Sequence, residues 1–445
     1  MTAWGAGIGP VGGAADAGIA GLAAARIGRR SAVFTAAGLG LVFALPALPA
    51  RAARRRGAER PRSLVTVWLV GGPSQLETFD PHPGTAIGGP TRAIDTVIPG
   101  VRIASDYPQL ADRLDRFAVV RSLVSKEGDH ERGQYTVKTG YRPDPTAVHP
   151  ALGAIAAREL PADGLEIPRF IALGPGDFPS RGGYLGAQFD PYRVYRPGGR
   201  GQNLVPHVPP DRQSRRLGAL DALGRSFERG REEAVRRTLH EHTLRRAVTL
   251  MGSEQLEAFD VDDEPEAVKA RYGTGDFGRG CLVARRLLET GVRSIELTLS
   301  GFDTHAANFT GHAARAAVLD PALAALVTDL EERDLLESTV LLVMGEFGRT
   351  PTINPLDGRD HWPHGFSCLL GGAGIACGQV VGATDPEGVA RMPTDPVEIP
   401  DLAATVMAAL CIDPATEVTT PGGRPMKFSS GSPVARLLRE GRAAG

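Results

Sequence analysis

Three short segments hold most of the side chains that could do chemistry. "GFDTHAANF" carries Asp303, His305 and Asn308, "GEFGRTP" carries Glu346 and Arg349, and "GRDHWPHG" carries Asp360, His361 and His364. Carboxylates mixed with imidazoles are the ligand set of zinc, manganese or iron, ions that activate water or clamp a phosphoryl or sulfuryl oxygen. Asp303 and His305, at i and i+2, reach one ion if their loop is extended. Pro363 separates His361 from His364 and favours a turn over a helix, so the two rings can point differently. No H-E-x-x-H signature is present, so the signal lies in the order of the groups rather than in their spacing.

Two further positions have both a chemical and a structural reading. Ser74 begins S-x-x-E with Glu77, which fits a helix capping box and equally fits a nucleophile at a helix N-terminus, where backbone N–H groups favour an anion. His130, in "EGDHERGQY", reads as a surface histidine, a general acid or a further ligand. Structural readings exist for the others as well. Asp303 fits a cap on a helix starting near His305, and Glu346 fits a buried ion pair with Arg349 or Arg359.

These residues need elements to hold them, and the hydrophobic pattern supplies strands. "SLVTVWLV", "RFAVVRSLV", "PRFIALG", "VRSIELTLS", "STVLLVMGEF" and "SCLLGGAG" are continuous apolar runs rich in β-branched residues, the pattern of strands covered on both faces. Helical patterns alternate with them: "YPQLADRLDR", "GRGCLVARRLLETG", "HAARAAVLDPALAALVTDLEERDLL" and "IPDLAATVMAAL". This alternation predicts an α/β fold, a largely parallel sheet with helices on both faces. The charge-rich segment at about 211–260 has no strand pattern and predicts a helical insertion packed on the sheet. In such sheets ligands bind beyond the carboxyl ends of the strands, which is where the polar segments fall.

Composition narrows the partners. The 445 residues are 42% hydrophobic and carry 50 basic against 51 acidic side chains, enough for a large core and too balanced to attract nucleic acid electrostatically. Cys281, Cys368, Cys377 and Cys411 show no C-x-x-C spacing and read as buried thiols, with a Cys368–Cys377 bridge left open for a protein working outside the cytoplasm. Near the N-terminus, Arg26, Arg29 and Arg30 precede the apolar "SAVFTAAGLGLVFALPALPARA". This reads as an export signal within residues 1–60, cleaved near Ala52, with the paired arginines pointing to the twin-arginine route. Its prolines and modest hydrophobicity argue against a membrane anchor, so no stable membrane span is expected after cleavage.

Taken together, "WLVGGPSQLETFDPHP", "VVRSLVSKEGDHERGQYTVKTG", "GFDTHAANF", "MGEFGRTPTINPLDGRDHWPHGFSCLLGGAGI" and "GATDPEG" resemble the bacterial domain-of-unknown-function 1501 family, from about Leu64 to the C-terminus. Its members resemble the alkaline phosphatase and sulfatase superfamily. That resemblance implies an α/β domain over residues 61–445 with metals at the C-terminal strand edge. It places Asp303 and His305 on one metal, Glu346 after the strand that usually ends in Asp-His, and His361 or His364 as the last histidine ligand. The chain departs from the pattern in three places. Gly71-Gly72 stands where an aspartate ligand is usual, Glu346-Phe347 replaces Asp-His, and no C/S-x-P-x-R segment exists for a formylglycine. Gln75 also stands where family members often carry histidine. The expectation is an exported hydrolase of phosphate or sulfate esters using a divalent ion (zinc, manganese or calcium) held by Asp303, His305, Glu346, Asp360, His361 and His364. Ser74 would be its nucleophile, His130 its general acid and Arg349 its oxyanion donor, acting on an anionic ester or polysaccharide. The alternative is a non-catalytic, envelope-associated binding or assembly protein on the same scaffold.

Overall fold

The computed structural model describes residues 62–199, 204, 208–231 and 239–439, so the N-terminal signal reading lies outside the described residues. Nine strands make the central sheet: β1 (Ser63–Val70), β2 (Phe117–Val124), β3 (Phe170–Leu173), β4 (Tyr192–Val194), β5 (Ser294–Ser300), β6 (Thr339–Met344), β7 (Phe366–Gly372), β8 (Gln379–Val381) and β9 (Val397–Glu398). Their order is β8-β2-β7-β6-β1-β5-β3-β4, with β9 also on β2. Only β7 runs against the others: its pairings with β2 and β6 are antiparallel, and the remaining pairings are parallel. The sheet is therefore mixed and largely parallel.

The continuous apolar runs follow from two cores, one on each face. Along β1, Val65, Val67 and Leu69 point into one core and Leu64 and Trp68 into the other, so apolar residues fall on both faces instead of alternating. The first core is filled by helices Asp276–Thr290 and Asn308–Glu332, through Leu282, Leu287, Leu319 and Leu323. The second holds α1 (His130–Thr139), α2 (Leu152–Glu159) and α3 (Ile399–Ala409), through Val137, Ile155, Leu402 and Val406. Over the charge-rich segment, helices Pro210–Glu228 and His240–Met251 form, the first without a buried residue. Among the described residues no helix is long and apolar enough to cross a membrane, and all four cysteines are free thiols.

Two local expectations change. The helix read into "YPQLADRLDR" shrinks to Pro108–Ala111, because β2 must begin at Phe117 and the chain leaves through a 3-10 turn. Asp320 stabilises its start by accepting from the backbone N–H of Gln109 and Leu110 at 3.1 and 2.7 Å. Nor does the S-x-x-E capping box form, since residues 76–79 are a turn and no helix follows Ser74. Glu77 instead takes a two-pronged ion pair from Arg359, at 3.1 and 2.9 Å, with both side chains buried. Arg359 also donates to the carbonyls of Ile87, Thr350 and Pro351, which ties three loops together. Glu77→Ala should strand that guanidinium and lower stability by roughly 3–5 kcal/mol, read from chemical denaturation.

Candidate functional site

The site forms at the carboxyl ends of β1, β5 and β6. After β1 the chain turns through Gly71 (φ 113°) and Gly72 (φ 74°). A Cβ on Gly71 would lie 2.3 Å from the Asp303 backbone nitrogen, and one on Gly72 would lie 2.5 Å from the Phe347 ring, so the close approach of three strand ends requires glycine. Asp303 leaves β5 just before the helix Asn308–Glu332, whose N-terminus it does not cap. After β6 come Glu346, Phe347 and the short strand Gly348–Arg349, which pairs antiparallel with His361–Trp362 in the register His361 opposite Arg349. His130 is the first residue of α1, which Asp129 caps by accepting from the Arg132 N–H at 3.1 Å and Gly140 ends in a left-handed turn.

Arg349 is fully buried, and its guanidinium is spent inside the protein. Nε donates to the Gly72 carbonyl and Nη1 to that of Arg359, both at 2.9 Å. Nη2 donates to the Gly71 carbonyl and, at 2.6 Å, to Asp303 Oδ1. Gln75 clamps its backbone from both sides, accepting from the Arg349 N–H at 3.0 Å and donating to its carbonyl at 2.8 Å. The expected oxyanion donor is thus a positioning residue whose guanidinium is buried and turned to the protein's own acceptors. Burial alone would push the Asp303 carboxyl up, but the Arg349 hydrogen bond and charge, helped by His130, hold it at about 2.

Three imidazoles surround that carboxylate. His305 Nε2 and His361 Nε2 lie 3.2 and 3.3 Å from Asp303 Oδ1, and His130 Nε2 lies 3.3 Å from Oδ2. Each ring uses its other nitrogen on an acceptor: His130 Nδ1 on Glu346 at 2.7 Å, His305 Nδ1 on Asp360 at 2.8 Å, and His361 Nδ1 on the Gly128 carbonyl at 2.7 Å. Acceptors of this kind require Nδ1–H, so in the neutral ring the Nε2 lone pair faces inward, the tautomer of a metal-ligating histidine. His305 Nε2 and His361 Nε2 are 3.1 Å apart, and only a proton or a cation reconciles two facing lone pairs. Burial, together with the nearby Arg349 and His130 charges, pushes the His361 pKa down and disfavours a proton on that ring. Two ligands at zinc–nitrogen distance on a tetrahedral ion are about 3.3 Å apart, close to the spacings here. His130, Asp303 and His361 form one candidate ion site, with ligand atoms all within 4.8 Å of one another. The donor set therefore fits a divalent metal.

The other expected groups take different places. Glu346 is buried and accepts from the Gly71 N–H at 3.0 Å as well as from His130, whose pKa it raises by this hydrogen bond. It thereby orients the His130 ring, and Asp360 holds His305 Nδ1 in the same way. His364 turns away to Arg391 at 2.5 Å, edge-on to Trp362. Ser74 is wholly buried in a turn, with its N–H donated to His312 Nε2 at 2.9 Å and its hydroxyl unpartnered, so it presents no nucleophile. Sequence reasoning missed Phe347, whose buried ring packs on His130 and His361 at centroid distances of 5.1 and 4.3 Å, and the Gly128 carbonyl. The Phe347 signal was its place beside Glu346 at a strand end. A backbone carbonyl leaves no signal at all.

The family profile described as "Protein of unknown function (DUF1501)" matches residues 61–438. The chain belongs to the DUF1501 family. A comparison with curated proteins found no match. Among solved structures, this DUF1501 protein is similar to the lipoteichoic acid synthase LtaP from Listeria monocytogenes at 11% identity, over 86% of this chain and 78% of that one, with a TM-score of 0.40. The PsFucS1 sulfatase from Pseudoalteromonas sp. is 12% identical over 87% and 74% of the two chains, with a TM-score of 0.40. A protein in the alkaline phosphatase superfamily from Vibrio parahaemolyticus is 12% identical over 85% and 71%, with a TM-score of 0.37. Superposition at this level carries no argument about chemistry, which must come from the site.

Gly71→Ala should be destabilising even though it adds one methyl group, because the left-handed backbone and the Asp303 nitrogen leave no room for it. A drop in the thermal unfolding midpoint relative to wild type checks this; an unchanged midpoint would show that the turn can relax.

Proposed function

We propose that this DUF1501 protein is an exported, metal-dependent hydrolase of phosphate or sulfate esters. The observation that carries the reading is the set of three histidines, each with Nδ1 fixed on an oxygen acceptor, whose Nε2 atoms converge on the ionised Asp303. His130, His361 and Asp303 would hold the ion, with His305 adjoining. Imidazole and carboxylate together suit zinc or manganese better than calcium, which prefers oxygen alone. The ion supplies Lewis acidity toward a phosphoryl or sulfuryl oxygen.

The chain's own groups do the rest. Arg349 keeps Asp303 ionised and oriented, Glu346 and Asp360 hold protons on the far nitrogens of His130 and His305, and the buried Phe347 ring backs His130 and His361. With Ser74 buried, the nucleophile in this reading is water. An N-terminal export signal would place the activity outside the cytoplasm. The alternative, a non-catalytic envelope-associated binding or assembly protein, draws support from the burial of both Ser74 and Arg349, which leaves the centre without the nucleophile and oxyanion donor the sequence suggested.

Metal analysis after incubation with zinc or manganese should find about one ion per chain, and 4-nitrophenyl phosphate or 4-nitrophenyl sulfate should be turned over. Metal without turnover would favour the binding protein, and no metal would defeat the reading. His361→Ala should abolish uptake while His364→Ala preserves it. Glu346→Gln should weaken metal affinity by roughly 10–100-fold. Affinity should also fall as pH drops from about 8 to about 6, because Glu346 raises the His130 pKa and a proton then competes for Nε2. A flat profile in isothermal titration over that range would contradict the role given to His130.

A further inference from the structure

A cleft of about 280 Å³ runs beside α1. One wall is the α1 face carrying Glu131, Tyr135 and Lys138, at i, i+4 and i+7, and the other is the segment Phe178–Arg181. That segment follows β3, the neighbour of β5, which ends just before Asp303, while α1 begins with His130. Tyr135 is five residues along the helix from His130, about 7.5 Å of rise. The cleft therefore extends away from the candidate metal centre along one side.

The walls are fixed. Lys138 Nζ donates to the Phe178 carbonyl at 2.8 Å and to Glu296 at 3.0 Å, and Ser180 donates to the other Glu296 oxygen at 2.5 Å. The Tyr135 hydroxyl accepts from the His149 backbone N–H and meets His149 Nδ1, both at 2.8 Å, and the Tyr141 ring stacks on that imidazole at 4.3 Å. Within this preformed frame Arg181 differs. Its carbonyl is held by the Ala151 N–H at 2.9 Å, yet its exposed guanidinium makes no hydrogen bond or ion pair among the described residues. Lys138 is paired with Glu296, so Arg181 is the cleft cation left for a ligand. Glu131 also lines the cleft and stays unpaired with Arg181. It belongs to the first turn of α1, where the helix dipole favours a carboxylate.

We propose that this cleft is a substrate subsite, in which Arg181 binds an acidic group on the alcohol half of the ester while the body of that half lies against Phe178 and Tyr135. The role as subsite rests on the hydrolase reading; the anion preference of the cleft does not. The substrate class is thus an ester whose leaving alcohol bears a second acid (carboxylate, sulfate or phosphate) in place of a neutral alcohol.

The test is equilibrium binding of 4-carboxyphenyl phosphate and phenyl phosphate to the full chain, with and without zinc. The carboxylated probe should bind at least about tenfold more tightly, the effect of one charge-assisted pair. Arg181→Ala should erase that preference with zinc uptake unchanged, Arg181→Lys should keep part of it, and Glu131→Gln should increase it. Equal affinity for the two probes in the wild type, or a preference that survives Arg181→Ala, would overturn the proposal. A preference that persists in a chain binding no zinc would leave the anion cleft standing and remove only the hydrolase reading.

Discussion

A guanidinium buried without access to water can be tolerated only if each of its nitrogens finds an acceptor, and that requirement organises the C-terminal edge of the sheet around β1, β5 and β6. Arg349 meets it by binding the carbonyls of Gly71, Gly72 and Arg359 and the carboxylate of Asp303. One residue thereby fixes the turn after β1, the loop after β5 and the return segment that carries His361. The energetic reason is desolvation: an unpaired buried cation costs several kcal/mol, so these loops cannot move independently without exposing one. Glu346 plays the complementary anionic part, shared between the Gly71 N–H and His130. The two residues together fill the space at the end of β1, one on the Gly71 carbonyl and the other on its N–H.

Much of this was legible in the sequence, and the limits have physical causes. The six apolar runs became strands because two cores require apolar residues on both faces of a central strand, a constraint written directly in residue type. The antiparallel direction of β7 was not legible, since a doubly covered strand has the same composition in either sense. In the site, Asp303, His305 and His361 gather as their order suggested, with His130 beside them. Roles proved harder than places. A buried arginine and a substrate-binding arginine have the same letter, and only the hydrogen-bond inventory of Arg349 separates them. Ser74 and Glu77 matched a capping box in spacing, but Arg359, distant in sequence, took Glu77 and the turn replaced the helix.

The separation of the inward-facing imidazoles from the groups that orient them was likewise invisible before the fold. Glu346, Asp360 and the Gly128 carbonyl all act on Nδ1 of a ring whose Nε2 points inward, a division of labour that depends on a tautomer and not on residue identity. His361 and His364, three apart around a proline, show the same point: the strand His361–Trp362 turns one ring inward and leaves the other for Arg391.

The reversed direction of β7 has a consequence for how such a site can change. Because β6 ends and β7 begins at the same edge, residues 345–365 leave the sheet and re-enter it without crossing to the far side. Glu346, Arg349, Asp360 and His361 all lie on this one excursion. Its two ends are pinned side by side by the register of β6 against β7, while Arg349 and Arg359 tie its interior to the loops after β1 and β5, so a change inside it is felt at the site without disturbing the sheet.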